Sequence, residues 1–363
     1  MAMINEVDLR NGIISELRPG VRNQVTTACE LMERLYYGRG KNARGKTRYR
    51  KGSDLNEMLS YGNKRSKETD GREDVVVPHS FSAEKQMVVN YGWRVGDILL
   101  HDDDLSSNKT GLQIFNLMAT RIKNMTEGMA EDVALALYAG KRLKGANGGS
   151  AKAFDGIKEV IGNDNIYGGI DRVAFPWFQS KVVDYVKLAA SPADSLISLL
   201  KIDAMHGQIK LGRKTMPTLQ ITSQELWQEV VTSARKERSV IEKDPSLSIE
   251  RGVDNIVLNG SPVIADINCP MYPSTVAGDP AGTMRGDWYY INEDTIQLFV
   301  DPDYDFKVSE WKDVYGTKIG GADNGKTGIS VHSRALYVKL AMCLYCNEPR
   351  SNGKYVGFTL PTE

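Results

Sequence analysis

The chain has 363 residues, in which 46 Lys and Arg balance 46 Asp and Glu, and it carries four cysteines. That length allows two or three domain-sized units and a substantial core. The neutral total argues against a dedicated nucleic-acid binder and against an acidic solvating protein, no run of eighteen apolar residues offers a membrane span, and four scattered cysteines do not make a disulfide framework.

In chain order, residues 1–18 are polar and aperiodic and read as an arm. They show no basic flank leading into an apolar core, so no secretory signal is expected. Pro19-Gly20 is a break. Val21 to Tyr37 is helical, with Val21, Val25, Ala28, Met32 and Leu35 on one face. Residues 38–80 read as an extended excursion outside the core. A structureless loop of that length is rare inside a compact domain and makes more sense if another copy of the chain orders it. Val75-Val76-Val77 and Gln86 to Leu100 read as strands.

Thr110 to Ala139 is the dominant element. Leu112, Phe115, Met118, Ile122, Met125, Met129, Val133, Ala136 and Leu137 recur at the period of one helix face. Thirty residues make a rod roughly 45 Å long. Asn108 or Thr110 can cap its start, and Gly140 sits where a left-handed cap would end it. A glycine-rich joint follows at Gly145 to Ser150. Ser180 to Leu188 then reads as a strand, Pro192 to Met205 as a helix and Pro217 to Thr222 as a strand. Ser223 caps a helix over Gln224 to Lys236. Short strands are expected at Asn255 to Leu258, Val263 to Ile267, Tyr289 to Ile291 and Ile296 to Val300. Residues 301–328 are loop-rich. Val331 to Tyr345 fits either a long strand or a buried helix, and 347–363 carries turn chemistry.

Several motifs fail on context. Gly40 to Thr47 and Gly320 to Thr327 both match the phosphate-loop pattern, which needs a strand before it and a helix after it. The first follows a helix and runs into Arg48-Tyr49-Arg50-Lys51. The second leaves too little chain for a nucleotide fold. Asp301-Pro302-Asp303-Tyr304-Asp305 begins like a calcium loop but places Phe306 and Lys312 where glycine and glutamate are needed. His101-Asp102-Asp103-Asp104 reads as a loop before a helix, its charge suited to the helix N-terminus. His79, His206 and His332 lie in no nucleophile pattern. Cys343 and Cys346 form a lone Cys-x-x-Cys; on a strand their sulfurs would point to opposite faces. No catalytic, cofactor or metal site is expected.

The basic stretch is more informative. Arg39, Lys41, Arg44, Lys46, Arg48, Arg50 and Lys51 place seven positive charges in thirteen residues with no acid among them. Three readings stand: contact with phosphate backbones, contact with acidic patches of neighbouring copies such as Glu293-Asp294 or Asp301 to Asp305, or a solvated loop.

Past the long helix, a series of short motifs appears in fixed order. It comprises Phe154-Asp155-Gly156-Ile157, Tyr167-Gly168-Gly169-Ile170-Asp171-Arg172, Pro176-Trp177, Thr222-Ser223-Gln224-Glu225-Leu226-Trp227, Asn259-Gly260-Ser261-Pro262-Val263, Asp266, Cys269-Pro270, Tyr290-Ile291-Asn292 and Pro349-Arg350-Ser351-Asn352-Gly353-Lys354. From about residue 84 to the end the chain resembles the major capsid proteins of tailed bacteriophages with the Hong Kong 97-type fold. The resemblance implies an α+β fold with an N-terminal arm (1–37), an extended loop (38–83), a peripheral domain (84–189) built on a spine helix (109–140), an axial domain (190–325) and a return to the peripheral domain (326–363). Pro273 to Asp287 looks like an insertion in that plan.

The expected function follows from the resemblance: a structural protein that self-assembles into an icosahedral shell around a double-stranded DNA genome, without chemistry of its own. The implied partners are further copies in pentamers and hexamers, a scaffolding protein, a portal and, as an optional addition, a decoration protein, with packaged DNA inside and no membrane. The implied location is the virion capsid, assembled in the host cytoplasm. The alternatives are an encapsulin-like compartment carrying enzyme cargo and, in another class, a P-loop nucleotide hydrolase using Lys46 or Lys326.

Overall fold

A computed structural model describes residues 21–37, 48–60, 84–101, 111–141, 153–209, 216–236, 242–243, 256–309, 312–315 and 332–360, apart from single positions at 23, 28, 53, 277, 278 and 281. Helix α1 (Glu30–Tyr37) is followed by strand β1 (Arg48–Tyr49) and the hairpin strands β2 (Asp54–Ser60) and β3 (Glu84–Asn90). Strand β4 (Gly92–His101) leads to the long helix α2 (Gly111–Ala139). Then come α3 (Ile157–Val160), the small ladder β5 (Ile166–Tyr167) and β6 (Ile170–Asp171), β7 (Lys181–Asp184), α4 (Leu199–Ile209), β8 (Leu219–Thr222) and α5 (Gln224–Lys236). The remainder is strand-rich: β9 (Glu242–Lys243), β10 (Ile256–Leu258), β11 (Ser261–Ala265), β12 (Met271–Pro273), β13 (Met284–Ile291), β14 (Ile296–Val300), β15 (Lys307–Val308), β16 (Lys312–Tyr315), β17 (His332–Cys346) and β18 (Gly353–Thr359).

Two sheets organise these strands. In the six-stranded sheet the fifteen-residue β17 is the common partner: β4, β14, β15 and β16 all pair with it antiparallel, and β1 adds to β14 in parallel. The eight-stranded sheet runs β7-β18-β13-β8-β11-β10-β9, with β12 also on β13. Strand β13 shows how it divides the interior. Period-two alternation sends Trp288 and Tyr290 to one face and Tyr289 and Ile291 to the other. The first pair packs with Ile202, Met205 and Ile209 of α4 and with Leu226 and Val230 of α5, spacings that put each set on one helix face. The second pair joins the larger core, where Val133, Ala134 and Leu137 of α2 meet Leu340, Met342 and Leu344 of β17.

The expected long helix forms over Gly111–Ala139, and its burial rises toward the C-terminal half, where Val133, Leu137 and Tyr138 are fully enclosed. Its end differs from the expectation. Gly140 is absent from the positive-φ positions, so no left-handed cap forms there. Glycine is needed for proximity instead: a Cβ at Gly140 would lie 2.7 Å from the Phe154 carbonyl oxygen, and Gly156 N donates to Gly140 O at 2.7 Å. Phe154 to Ile157 is therefore the segment that closes on the end of α2. Tyr167-Gly168-Gly169-Ile170 is a two-residue hairpin turn with both glycines at positive φ, 58° and 79°.

Other expectations need correction. Of the two readings of Val331 to Tyr345, the strand is the one that forms, as β17 over His332–Cys346, and Cys343 and Cys346 are both buried free thiols on it. The tail expected at 347–363 holds β18, which lies between β7 and β13. Gln86 to Leu100 is two strands parted at Tyr91, serving different sheets. The strand expected over Ser180 to Leu188 ends at Asp184, because the Asp184 carboxylate accepts from the backbone N–H of Val186 and Lys187 and turns the chain. The helix expected from Pro192 starts at Leu199; Ser191 caps a turn before it. The helix expected over Val21 to Tyr37 is broken by a bend at Cys29. Part of the 38–80 excursion is packed: β1 extends the six-stranded sheet, β2 pairs with β3, and Leu55 is fully buried. The arm at 1–18, Val75 to Val77, both phosphate-loop matches, Gly145 to Ser150, His79 and Asp102 to Asp104 lie outside the described residues.

Candidate inter-subunit surface

Of the seven basic residues singled out in the sequence, Arg39, Lys41, Arg44 and Lys46 lie outside the described residues. Arg48, Arg50 and Lys51 are exposed and sit where the hairpin leaves the six-stranded sheet. Strand β1 fixes Arg48 opposite Phe299, and Tyr91 donates its hydroxyl to the Arg50 carbonyl at 2.9 Å. Arg50 pairs with Glu57 on β2, and Lys51 reaches Asp303 at 3.0 Å. Both are pairs within one chain between solvated groups, so each contributes at most about 1 kcal/mol.

The acidic patches proposed as their partners are engaged within the subunit. Glu293 is buried and takes Arg34 at 2.9 Å and the Thr218 hydroxyl at 3.0 Å. Asp305 is buried and accepts from Tyr36 at 2.8 Å, with Arg22 at 3.7 Å. Burial, then the Tyr49 hydroxyl and the Asp305 charge, push the Tyr36 phenol well up, so it stays a donor to that carboxylate. Asp301 accepts from Asp303 N and caps the turn at 302–304. Within the subunit, this acidic run pins the first helix to the sheet.

A second surface was missed in the sequence. Strand β4 lays one face against α2 and leaves Trp93, Val95 and Leu99 exposed on the other, at 39%, 52% and 38%. Their cross-strand neighbours on β17 are Ala341, Lys339 and Ala335. Tyr304 covers Trp93 edge-on at 4.6 Å, with Lys307 over the Tyr304 ring at 5.5 Å. Asp97 is exposed on the same face, so the strip is apolar with one carboxylate in it and with Lys339 and Lys307 beside it. Its signal was in the sequence: Trp93-Arg94-Val95-Gly96-Asp97-Ile98-Leu99 carries apolar residues at both phases of the alternation. Isolated apolar side chains also stand out at Ile267 and Leu200, 89% and 82% exposed. Among the described residues no group of three His, Cys, Asp or Glu is placed to hold a metal ion.

Comparison with models of protein families gives no match, and neither does a search of curated proteins. Solved structures do match. The capsid asymmetric unit of Cyanophage A-1(L) aligns over 85% of this chain and 89% of that chain, with 14% identity and a TM-score of 0.56. A chain of Mycobacterium phage Adephagia aligns over 87% of this chain and 88% of its own, with 10% identity and a TM-score of 0.46. One from the satellite phage P4 procapsid, a particle that includes the size determination protein Sid, aligns over 93% and 98%, with 10% identity and a TM-score of 0.45. The first of these carries the fold assignment: the chain has a capsid-protein fold of the Hong Kong 97 type, α+β.

Proposed function

We propose that this protein is a major capsid protein whose copies close into an icosahedral shell around packaged double-stranded DNA. The observation that supports the reading is the match over 85% of this chain and 89% of that chain to a chain of the Cyanophage A-1(L) capsid asymmetric unit. On this reading the role is structural, the subunit contributes adhesion in place of catalysis, and the protein resides in the virion capsid after assembly in the host cytoplasm. Its partners are further copies in rings of five and six, a scaffolding protein, a portal and an optional decoration protein.

The domain plan belongs to the same proposal: arm 1–37, extended loop 38–83, peripheral domain 84–189 and 326–363, axial domain 190–325. Arg39, Lys41, Arg44, Lys46, Arg48, Arg50 and Lys51 act between subunits. Rings of identical subunits use head-to-tail contacts, and many weak contacts in a closed shell sum to a stable one. Negative-stain imaging of the protein, expressed alone and with its scaffolding protein, tests the reading. Closed particles of uniform diameter are expected. Only dispersed subunits under both conditions would overturn it.

A further inference from the structure

A cavity of about 670 Å³ opens between β3, α3, the β5–β6 turn, β7 and β18. Lysines and carboxylates line it together, and most of them are matched. Lys141 pairs with Glu159 at 3.4 Å, and Lys187 pairs with Asp164. Asn165 Nδ2 donates to Glu159 at 2.9 Å. Asp184 is held by the two backbone donors of its own turn, and Asp155 has an interaction of its own. Lys158 reaches Asp287 at 3.2 Å.

Lys354 is the exception. Its side chain comes from β18, the residue is 7% exposed, and its ammonium donates to the Lys158 carbonyl at 2.6 Å. An ammonium has three donors. Among the described residues no carboxylate pairs with it. Asp287, the acid whose field it feels most, is already filled by Lys158 Nζ, Tyr272 OH at 2.8 Å, Tyr289 OH at 3.0 Å and Gly357 N at 3.2 Å. A buried cation without a counter-charge in contact is costly, and an anion supplied from outside offsets that cost.

We propose that this cavity is an oxyanion-binding site anchored by Lys354, taking one carboxylate or phosphate group from outside the subunit. The inference stands on the cavity and its charges and does not depend on the shell reading. The state of Lys354 agrees with it. Burial pushes the ammonium down to about 8 against the pull of Asp287, so it is still mostly charged at neutral pH while poorly solvated. A neutral ligand would leave that charge unmatched. The volume leaves room for the group that carries the oxyanion.

The test follows the ε-carbon of Lys354 by NMR against pH in the full chain carrying labelled lysine, with the signal assigned by its loss in Lys354→Met. The probes are inorganic phosphate and acetate, each against chloride at equal ionic strength. Either probe is expected to move the Lys354 midpoint up from about 8 toward the ordinary lysine value of 10.5, while chloride leaves it in place. A response to acetate alone assigns a carboxylate ligand, and a response to phosphate alone assigns a phosphate ligand. A midpoint unmoved by both, or moved downward, overturns the proposal.

Discussion

Buried acids in this chain are held in different ways, and the difference sets what their removal costs. Asp266 is surrounded by neutral donors: Tyr138 OH at 2.6 Å, Cys29 Sγ at 3.2 Å and Asn268 N at 2.9 Å. It ties the bend at Cys29 and the end of α2 to the turn after β11. Glu293 instead faces the buried guanidinium of Arg34, with side-chain exposures of 10% and 5%. Removing one member of such a pair leaves a charge unmatched. Glu293→Ala should therefore cost about 3–5 kcal/mol, read as a fall in the urea midpoint at constant slope. Lys51→Ala, at an exposed pair, should change stability by under about 1 kcal/mol.

Lys354 gives a prediction with a defined sign. Its folded pKa lies below its unfolded value, so between about 8 and 10.5 the unfolded chain binds more protons, and stability contributed by this group rises with pH across that window. The cost of holding the charged form is fully present below about 8. Lys354→Met should be more stable than the parent near neutral pH by up to about 3 kcal/mol, with the gain shrinking as pH rises to 10.5. A gain independent of pH would contradict this account of the residue.

At the scale of elements, the contact between the end of α2 and Phe154 to Ile157 is the tightest joint. A Cβ on Gly156 would sit 2.6 Å from the Ala136 carbonyl and 2.8 Å from that of Leu137, both backbone atoms that cannot swing aside. Gly156→Ala should cost about 1–3 kcal/mol by thermal unfolding, with the same fold by circular dichroism. An unchanged melting temperature would mean that the joint yields.

Elements with a strong period and clear ends were legible in the sequence. Helix α2 is helical from the first described residue of that stretch, Gly111, and ends at the expected Ala139, and β14 has the bounds read from Ile296 to Val300. Strand β18 was not legible. Pro349, Asn352, Gly353 and Gly357 look like turn residues, and an extra residue in β18 itself, where Val356 and Gly357 lie opposite the single Asp287 of β13, breaks the alternation of Tyr355, Val356 and Phe358. Of the surfaces, the basic stretch could be found from charge alone, and the uncovered face of β4 could have been found from apolar residues at both phases. The Lys354 cavity could not: its walls come from residues 88–90, 141, 155–169, 184–187 and 354–356, which only tertiary packing brings together.

At the scale of the whole molecule, the proposed shell asks a neutral chain to hold many copies together through local charge and small apolar patches. If the cations ahead of β1 act between subunits, replacing Arg39, Lys41, Arg44 and Lys46 by serine should change the unfolding free energy of the isolated subunit by under about 0.5 kcal/mol. Particle yield should fall, and the parent's particles should loosen as salt rises. Equal yields from parent and variant would remove the inter-subunit role.

Velocity sedimentation of the purified protein decides whether the proposed closed shell forms. The expected result is one narrow boundary in the megadalton range, from the protein alone or after co-expression with its scaffolding protein. A boundary at the mass of one or two subunits in both preparations would contradict the shell.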